Sequence, residues 1–147
     1  MNKIKFLFLL FLVLYASSNC FAQVGINTVM PQSTLDINGN LSVKVINITG
    51  NGTGSVGTSV VINDGIYISI NPTATDDKFE LPNPTLVPGR MYIIRNINNT
   101  VTAQLITTTG LLFPKNSTTG SSQIYMYEGN LRTVTVFSDG NNWTYLN

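Results

Sequence analysis

The chain of 147 residues contains no histidine and a single cysteine, Cys20. Histidine is the usual general base near neutral pH and a common zinc ligand, while cysteine supplies thiolate ligands and thiol nucleophiles. A lone cysteine also cannot form a disulfide within its own chain. The sequence therefore predicts no catalytic residue, no metal site and no cofactor, and a domain that is stable without cross-links.

Charge is scarce as well, at 10% of the chain. Beyond residue 22 the sequence holds six basic and seven acidic residues, and the basic ones are scattered singly rather than gathered in runs. Binding to a phosphate backbone requires several lysines or arginines along one stripe. The sequence therefore predicts no nucleic-acid partner.

The first 22 residues have the organisation of a secretory signal peptide. Lys3 and Lys5 precede an apolar run over residues 6–15, and Ala22 is a small residue directly before Gln23. The run is shorter than the ~20 apolar residues that cross a bilayer. We therefore expect residues 1–22 to be removed, the mature protein to be secreted or held at the cell surface, and no membrane span to remain.

Two alternatives to this cleavage stay open. The segment could be kept as an uncleaved anchor, or Cys20 could be the lipid-modified residue of a lipoprotein. Asn19 argues against lipidation, because a small residue normally precedes the modified cysteine.

Beyond the signal, apolar residues do not recur at the three- and four-residue spacing of a helix. They instead alternate with polar residues in short runs rich in Thr, Val, Ile and Tyr. Turn sequences separate these runs, among them Asn-Asp-Gly at residues 63–65 and Ser-Asp-Gly-Asn-Asn at residues 138–142. The pattern predicts an all-β protein in which residues 59–147 form a small antiparallel β sandwich, barrel or prism. We expect strands at residues 41–48, 59–62, 66–70, 78–81, 91–97, 101–107, 123–127, 131–137 and 143–146.

Residues 23–48 carry an alternation of their own and are predicted to form a β stem segment. An apolar alternation ending at Ile37 leads into Asn38-Gly39, the strongest short hairpin signal, and a second alternation follows. We therefore expect a hairpin. A two-stranded hairpin is marginal in water, so its apolar face must be covered either by its own domain or by other copies of the chain. We assign this assembly face to Leu41, Val43 and Val45.

Residues 49–58, TGNGTGSVGT, break the alternation with glycine and small polar residues. Residues 52–57 match the Gly-x-Gly-x-x-Gly dinucleotide fingerprint, but a strand rather than a helix follows them. The phosphate cradle needs the helix N-terminus. We therefore predict a linker or tight turn between the stem segment and the domain at residues 59–147.

Residues 24–43, VGINTVMPQSTLDINGNLSV, resemble a segment that recurs in fibre-like stems of phage tail proteins and of secreted bacterial surface proteins. Residues 59–147 resemble, more loosely, the β-rich domain that often caps such fibres. The resemblance implies a β-rich stem assembled from three chains. The positions that fit the stem segment are Val24, Gly25, Ile26, Thr28, Pro31, Leu35, Asp36, Asn38, Gly39 and Asn40.

Four aromatic residues near the C-terminus could form a surface for stacking sugars or an interface between subunits. Aromatics in alternating strands are more often core or interface residues, with the tyrosine hydroxyl reaching solvent. Both interpretations stay open. The four residues are Tyr125, Tyr127, Trp143 and Tyr145.

Asp76, Asp77 and Glu80 form the one acidic cluster in the sequence. Two catalytic carboxylates must flank a scissile bond at a fixed separation, which spacing along a chain does not show. We interpret the cluster as a polar loop that leads into a strand.

These features favour a secreted, non-enzymatic structural or adhesive component of a surface or fibre, working as a homotrimer. A surface glycan or a protein is the partner expected for such a component. The alternative is a monomeric carbohydrate-binding or ligand-binding β module.

Overall fold

The computed structural model describes residues 3–5, 7, 8, 11 and 23–147. The six described residues before residue 12 are helical and exposed. The predicted cleavage site after Ala22 and the alternative lipidation site at Cys20 lie outside the described residues.

Between residues 23 and 147 the regular structure is almost entirely β, which confirms the all-β prediction. Each of the nine predicted strands overlaps an observed one, while β1 and β9 were not predicted. Two short 3-10 helices, Gly54–Val56 and Pro84–Leu86, accompany the strands. The strands are β1 (Val24–Ile26), β2 (Leu35–Ile37), β3 (Val45–Thr49), β4 (Val60–Val61), β5 (Tyr67–Asn71), β6 (Asp77–Leu81), β7 (Met91–Asn96), β8 (Ala103–Thr107), β9 (Leu112–Pro114), β10 (Gln123–Met126), β11 (Thr133–Ser138) and β12 (Trp143–Leu146).

Contacts divide the chain into two units, Met1–Ser42 and Val43–Asn147. In the first unit β1 and β2 pair in parallel, with Ile26 opposite Ile37. The second unit contains a six-stranded sheet in the order β3-β5-β7-β11-β12-β9 and a four-stranded sheet in the order β10-β8-β6-β4. Both sheets are open in the described part of the chain, so neither has the closure of the predicted barrel alternative.

The chain of the second unit coils back and forth between the two sheets and does not run as a series of hairpins. We call this coiled path the winding. From β3 to β8 the chain alternates between the two sheets, so that β3, β5 and β7 are parallel neighbours in one sheet and β4, β6 and β8 in the other. Because each return to a sheet passes through the opposite sheet, parallel pairing needs no crossover helix. The antiparallel arrangement that we predicted is therefore wrong for this region. Among the described strands, antiparallel pairs join β10 to β8 and β11 to β7 and β12, and one isolated antiparallel bridge joins Leu112 to Ser121.

The core consists of ladders of aliphatic and aromatic residues that recur at the same register in successive turns of the winding. In the six-stranded sheet Ile68 lies between Ile46 and Ile94. In the four-stranded sheet Phe79 lies opposite Leu105. The buried members of both ladders belong to one hydrophobic cluster. Burial of matched side chains from both sheets therefore holds the winding together.

The strand pairings differ from the predicted hairpin across Asn38-Gly39. β2 pairs with β1, and β3 pairs with β5, so the two strands that flank this turn have different partners. The division between units likewise falls at Ser42 and Val43 rather than within residues 49–58. The inward side chains of β3 explain the difference, because Ile46 and Ile48 pack against the core of the second unit.

The glycine-rich segment is a tight corner of the winding rather than a loose spacer. The side chain of Asp77, which is fully buried, accepts hydrogen bonds from the backbone N–H groups of Gly52 (3.2 Å) and Gly54 (2.8 Å). The same carboxylate accepts from the N–H groups of Thr73 (2.8 Å) and Ala74 (3.0 Å) in the next corner. One side chain therefore joins two successive corners.

Glycine is required at Gly54 for two reasons. Its φ of 62° lies in the left-handed region. A Cβ there would also lie 2.8 Å from the carbonyl oxygen of Thr75. The corner can thus approach β6 closely only with glycine at this position.

The environment of Asp77 shifts its pKa. Burial raises the pKa, but the backbone N–H groups of Thr73, Ala74, Gly54 and Gly52 outweigh burial and lower it from 3.8 to about 2. A carboxyl with a lower pKa in the folded state stabilises the fold above its unfolded pKa. This contribution is lost as the pH falls from about 4 towards 2.

Asp77→Asn tests this role. The substitution removes the charge and turns one acceptor oxygen into an amide group that faces N–H donors. We expect the free energy of unfolding at neutral pH to fall by ~2–4 kcal/mol, because hydrogen bonds to charged groups are among the stronger ones. The wild type should also lose ~2 kcal/mol more than the variant between about pH 5 and pH 2. Urea denaturation at a series of pH values measures both effects.

Asp76→Asn is the matched control. Asp76 precedes Asp77 directly and has a φ of 64°, a conformation that asparagine tolerates well. We expect its free energy of unfolding to change by less than ~0.5 kcal/mol. Equal losses in the two variants would contradict the role assigned to Asp77.

Candidate functional site

The structure separates the four aromatic residues that the sequence grouped as one surface. Trp143 and Tyr145 lie on β12 of the six-stranded sheet. Tyr125 lies on β10 of the four-stranded sheet, and Tyr127 follows that strand directly. The four side chains therefore do not form one ligand surface.

Trp143 and Tyr145 belong to the core. Trp143 is fully buried, its ring centroid lies 5.9 Å from that of Tyr92, and its Nε1 donates a hydrogen bond to the carbonyl oxygen of Pro82 at 3.3 Å. Tyr145 is partly buried and packs against the same cluster. These contacts leave no stacking face of Trp143 for a ligand.

Tyr125 and Tyr127 form an aromatic pair on the outer face of the four-stranded sheet. Their ring centroids are 6.1 Å apart and their planes are inclined by 27°. Tyr127 is 48% exposed. The Nε2 of Gln123 donates to the hydroxyl of Tyr125 at 3.2 Å, which fixes the ring from the side. The pair thus presents an apolar surface with a hydroxyl at its edge.

Gln104 adds a polar group to this pair that the sequence did not reveal. It lies directly opposite Tyr125 in the register of β10 and β8. Its side chain is almost fully buried, and its Oε1 has no hydrogen-bond partner among the described residues. A buried acceptor without a partner is uncommon. We define Tyr125, Tyr127 and Gln104 as the tyrosine patch.

The acidic cluster does not form a catalytic pair. Asp77 points into the core and Glu80 points outward, since the burial of β6 alternates along the strand. Glu80 instead accepts hydrogen bonds from the hydroxyls of Thr108 (2.7 Å) and Ser59. Within the described residues no group of three or more acidic or cysteine side chains could hold a metal ion.

Other carboxylates also hold turns. Asp139 accepts from the backbone N–H groups of Asn141 (2.7 Å) and Asn142 (2.6 Å), and these bonds lower its pKa. Asp64 forms an ion pair with Lys44, and the hydrogen bond from Lys44 lowers the pKa of Asp64. These acidic residues therefore have structural roles, as expected from the turn sequences around them.

The predicted assembly residues differ in exposure. Leu41 is 70% exposed and Val45 is 61% exposed, whereas Val43 is half-buried. Because Ile46 and Ile48 point into the core, Val45 lies on the outer face of the six-stranded sheet.

Val45 begins a row of side chains that crosses the outer face of this sheet. The cross-strand register places Tyr67, Ile93, Thr135 and Leu146 beside it in that order. Leu146 is 38% exposed at the far end. We call these five residues the outer row, and it is a mostly apolar strip on the surface of the second unit.

A concave apolar surface also occurs near the N-terminus, lined by Ile4, Leu7, Phe8 and Phe11. These residues lie within the predicted signal peptide, so we do not regard this surface as a functional site. No described helix has the length and apolar character needed to cross a membrane.

No protein-family model, curated protein or solved structure matches this chain.

The two kinds of aromatic position differ in their expected contribution to stability. Trp143→Ala should lower the free energy of unfolding by ~3–5 kcal/mol, because it empties a fully buried site. Tyr127→Ala should lower it by less than ~1 kcal/mol, because half of that side chain is already in water. Urea denaturation of both variants measures the difference. A small loss for Trp143→Ala would mean that the indole is not part of the core.

Proposed function

We propose that the chain is a secreted, non-enzymatic structural or adhesive component of a surface or fibre, and that it works as a homotrimer. The observation that carries the proposal is the exposure of the first unit's sheet. Val24, Ile26 and Leu35 are each more than half exposed, although β1 and β2 have only three residues each. So small a sheet is not stable alone in water and gains stability when other chains cover it.

The second unit offers further apolar surface for assembly. The outer row starts at Val45 on β3, and β3 is an edge strand of the six-stranded sheet. Edge strands with exposed apolar side chains invite pairing with other chains. The resemblance of residues 24–43 to stem segments favours three copies over two.

The non-enzymatic part of the proposal rests on the carboxylates. In a chain without histidine, carboxylates are the main candidates for acid and base chemistry. Asp64, Asp77 and Asp139 each hold a turn or a corner, and Glu80 bonds to neighbouring hydroxyls. The engagement of these four carboxylates within the fold supports a non-enzymatic role.

A carbohydrate-binding module is the second candidate function, and the tyrosine patch favours it. Sugar rings stack on exposed aromatic faces, and their hydroxyls form hydrogen bonds with polar groups at the rim, such as the hydroxyl of Tyr125. The exposed ring of Tyr127 would provide the stacking face.

Assembly is tested by the mass of the mature protein in solution. We expect light scattering to give the mass of three chains for the wild type. Leu35→Asp and Val45→Asp should reduce the mass to one chain, because each places three charges in a shared apolar interface at a cost of ~6 kcal/mol or more per trimer.

Leu86→Asp serves as the control, because Leu86 is 78% exposed but lies in neither the first unit nor the outer row. It should leave the trimer intact. A monomeric wild type that remains soluble and folded would contradict the proposed assembly.

The second candidate function is tested on a glycan array with the same preparations. If the tyrosine patch binds sugars, Tyr127→Ala should weaken binding by up to roughly tenfold. Phe137→Ala, which removes a partly exposed aromatic ring from the other sheet, should leave binding unchanged. Absence of binding by the wild type would remove this candidate and leave the structural role in place.

A further inference from the structure

The chain contains two Asn-Gly pairs, Asn38-Gly39 and Asn51-Gly52. At such pairs the backbone nitrogen of glycine can attack the side-chain carbonyl carbon of asparagine. Ammonia leaves, a five-membered succinimide forms, and water then opens this ring to aspartate or isoaspartate. Glycine favours the reaction because it has no Cβ to hinder the approach of its nitrogen and leaves the backbone flexible.

Hydrogen bonds hold every group that this reaction would use at Asn51-Gly52. The Nδ2 of Asn51 donates to the carbonyl oxygen of Thr58 and, at 3.1 Å, to the hydroxyl of the same residue. The Oδ1 of Asn51 accepts from the N–H group (3.3 Å) and the hydroxyl (2.6 Å) of Thr53. The attacking nitrogen of Gly52 donates to the carboxylate of Asp77 at 3.2 Å. The nitrogen and the side-chain amide are therefore both held in place.

The same groups are free at Asn38-Gly39. Both residues are exposed, and a Cβ built on Gly39 would meet no atom within 4 Å. Among the described residues, neither the side chain of Asn38 nor the N–H group of Gly39 has a hydrogen-bond partner. Only the backbone of Asn38 is held. Its N–H group donates to the carbonyl oxygen of Ile26 (3.0 Å), and the carbonyl oxygen of Asn38 accepts from the Nδ2 of Asn27 (2.9 Å).

We propose that Asn38 is a site of spontaneous deamidation in the folded protein, and that the hydrogen bonds to Asp77 and Thr58 protect Asn51. Isoaspartate at residue 38 would lengthen the backbone by one carbon atom directly after β2. The carbonyl oxygen of residue 38, which accepts from the Nδ2 of Asn27 at 2.9 Å, lies beyond the added carbon and would be displaced from this bond. Modification therefore alters the first unit and leaves the winding of the second unit unchanged.

The fold reverses the order of reactivity expected for the unfolded chain. The β-branched Ile37 precedes Asn38, whereas Gly50 precedes Asn51, so local crowding alone would make Asn51 the faster site. In the folded protein the hydrogen bond from the N–H group of Gly52 to the carboxylate of Asp77 must open before Asn51 reacts. We expect this requirement to slow Asn51 by roughly ten- to a hundredfold relative to Asn38.

Peptide mapping by mass spectrometry after incubation of the mature protein at mildly alkaline pH measures both rates. The expected result is early accumulation of aspartate and isoaspartate at residue 38 and little change at residue 51. In concentrated urea the advantage of Asn38 should disappear. Equal rates in the folded protein, or faster reaction at Asn51, would overturn the proposal.

Asp77→Asn provides a second, independent readout, because it weakens the bond that holds the nitrogen of Gly52. The rate at Asn51 should rise severalfold in this variant while the rate at Asn38 stays the same. Asp76→Asn should change neither rate. An unchanged rate at Asn51 in a folded Asp77→Asn protein would show that this carboxylate does not provide the protection.

Discussion

The buried carboxylate of Asp77 is the interaction on which the winding of the second unit depends. A charge inside a protein is costly unless hydrogen bonds replace its hydration. Here four backbone N–H groups from two successive corners replace it, and the pKa falls to about 2 as a result. The carboxylate therefore fixes the position of the glycine-rich corner on the end of β6 and ties it to the next corner of the winding. The glycine fingerprint at residues 52–57 does present N–H groups to an anion, but the anion is a side chain of the same protein.

Strand positions could be predicted from the sequence, because alternation of apolar residues is a local property. Strand partners could not be predicted, because the same turn residues occur both in reversals within one sheet and in corners between two sheets. Ser-Asp-Gly-Asn-Asn at residues 138–142 joins β11 and β12 in a true hairpin. Asn-Asp-Gly at residues 63–65 instead carries the chain from β4 in one sheet to β5 in the other. A reversal within a sheet and a corner between sheets require similar backbone conformations, so only the long-range packing of residues such as Ile46 and Ile48 distinguishes them.

The candidate site shows the same division between local and long-range information. Tyr125 and Tyr127 are two residues apart within the predicted strand at residues 123–127, so their shared face could be predicted from spacing alone. Trp143 could not be assigned to the surface or to the core, because its burial depends on Tyr92 and Pro82, which are distant in sequence. Gln104 carries no sequence signal, and its place beside Tyr125 follows only from the register of β10 and β8. The proposed assembly likewise depends on long-range information, because the exposure of the side chains of β1 and β2 is a property of the folded chain and cannot be predicted from local spacing.

Amide hydrogen exchange followed by NMR measures whether Asp77 closes two corners of the parallel winding. The N–H groups of Gly52, Gly54, Thr73 and Ala74 lie outside the strands, where amides normally exchange quickly. We predict that they exchange far more slowly than their intrinsic rates at neutral pH and lose this protection together as the pH falls towards 2. Gly129, an exposed turn residue, should exchange close to its intrinsic rate at every pH. Exchange of Gly52 and Gly54 as fast as that of Gly129 at neutral pH would contradict this role of Asp77.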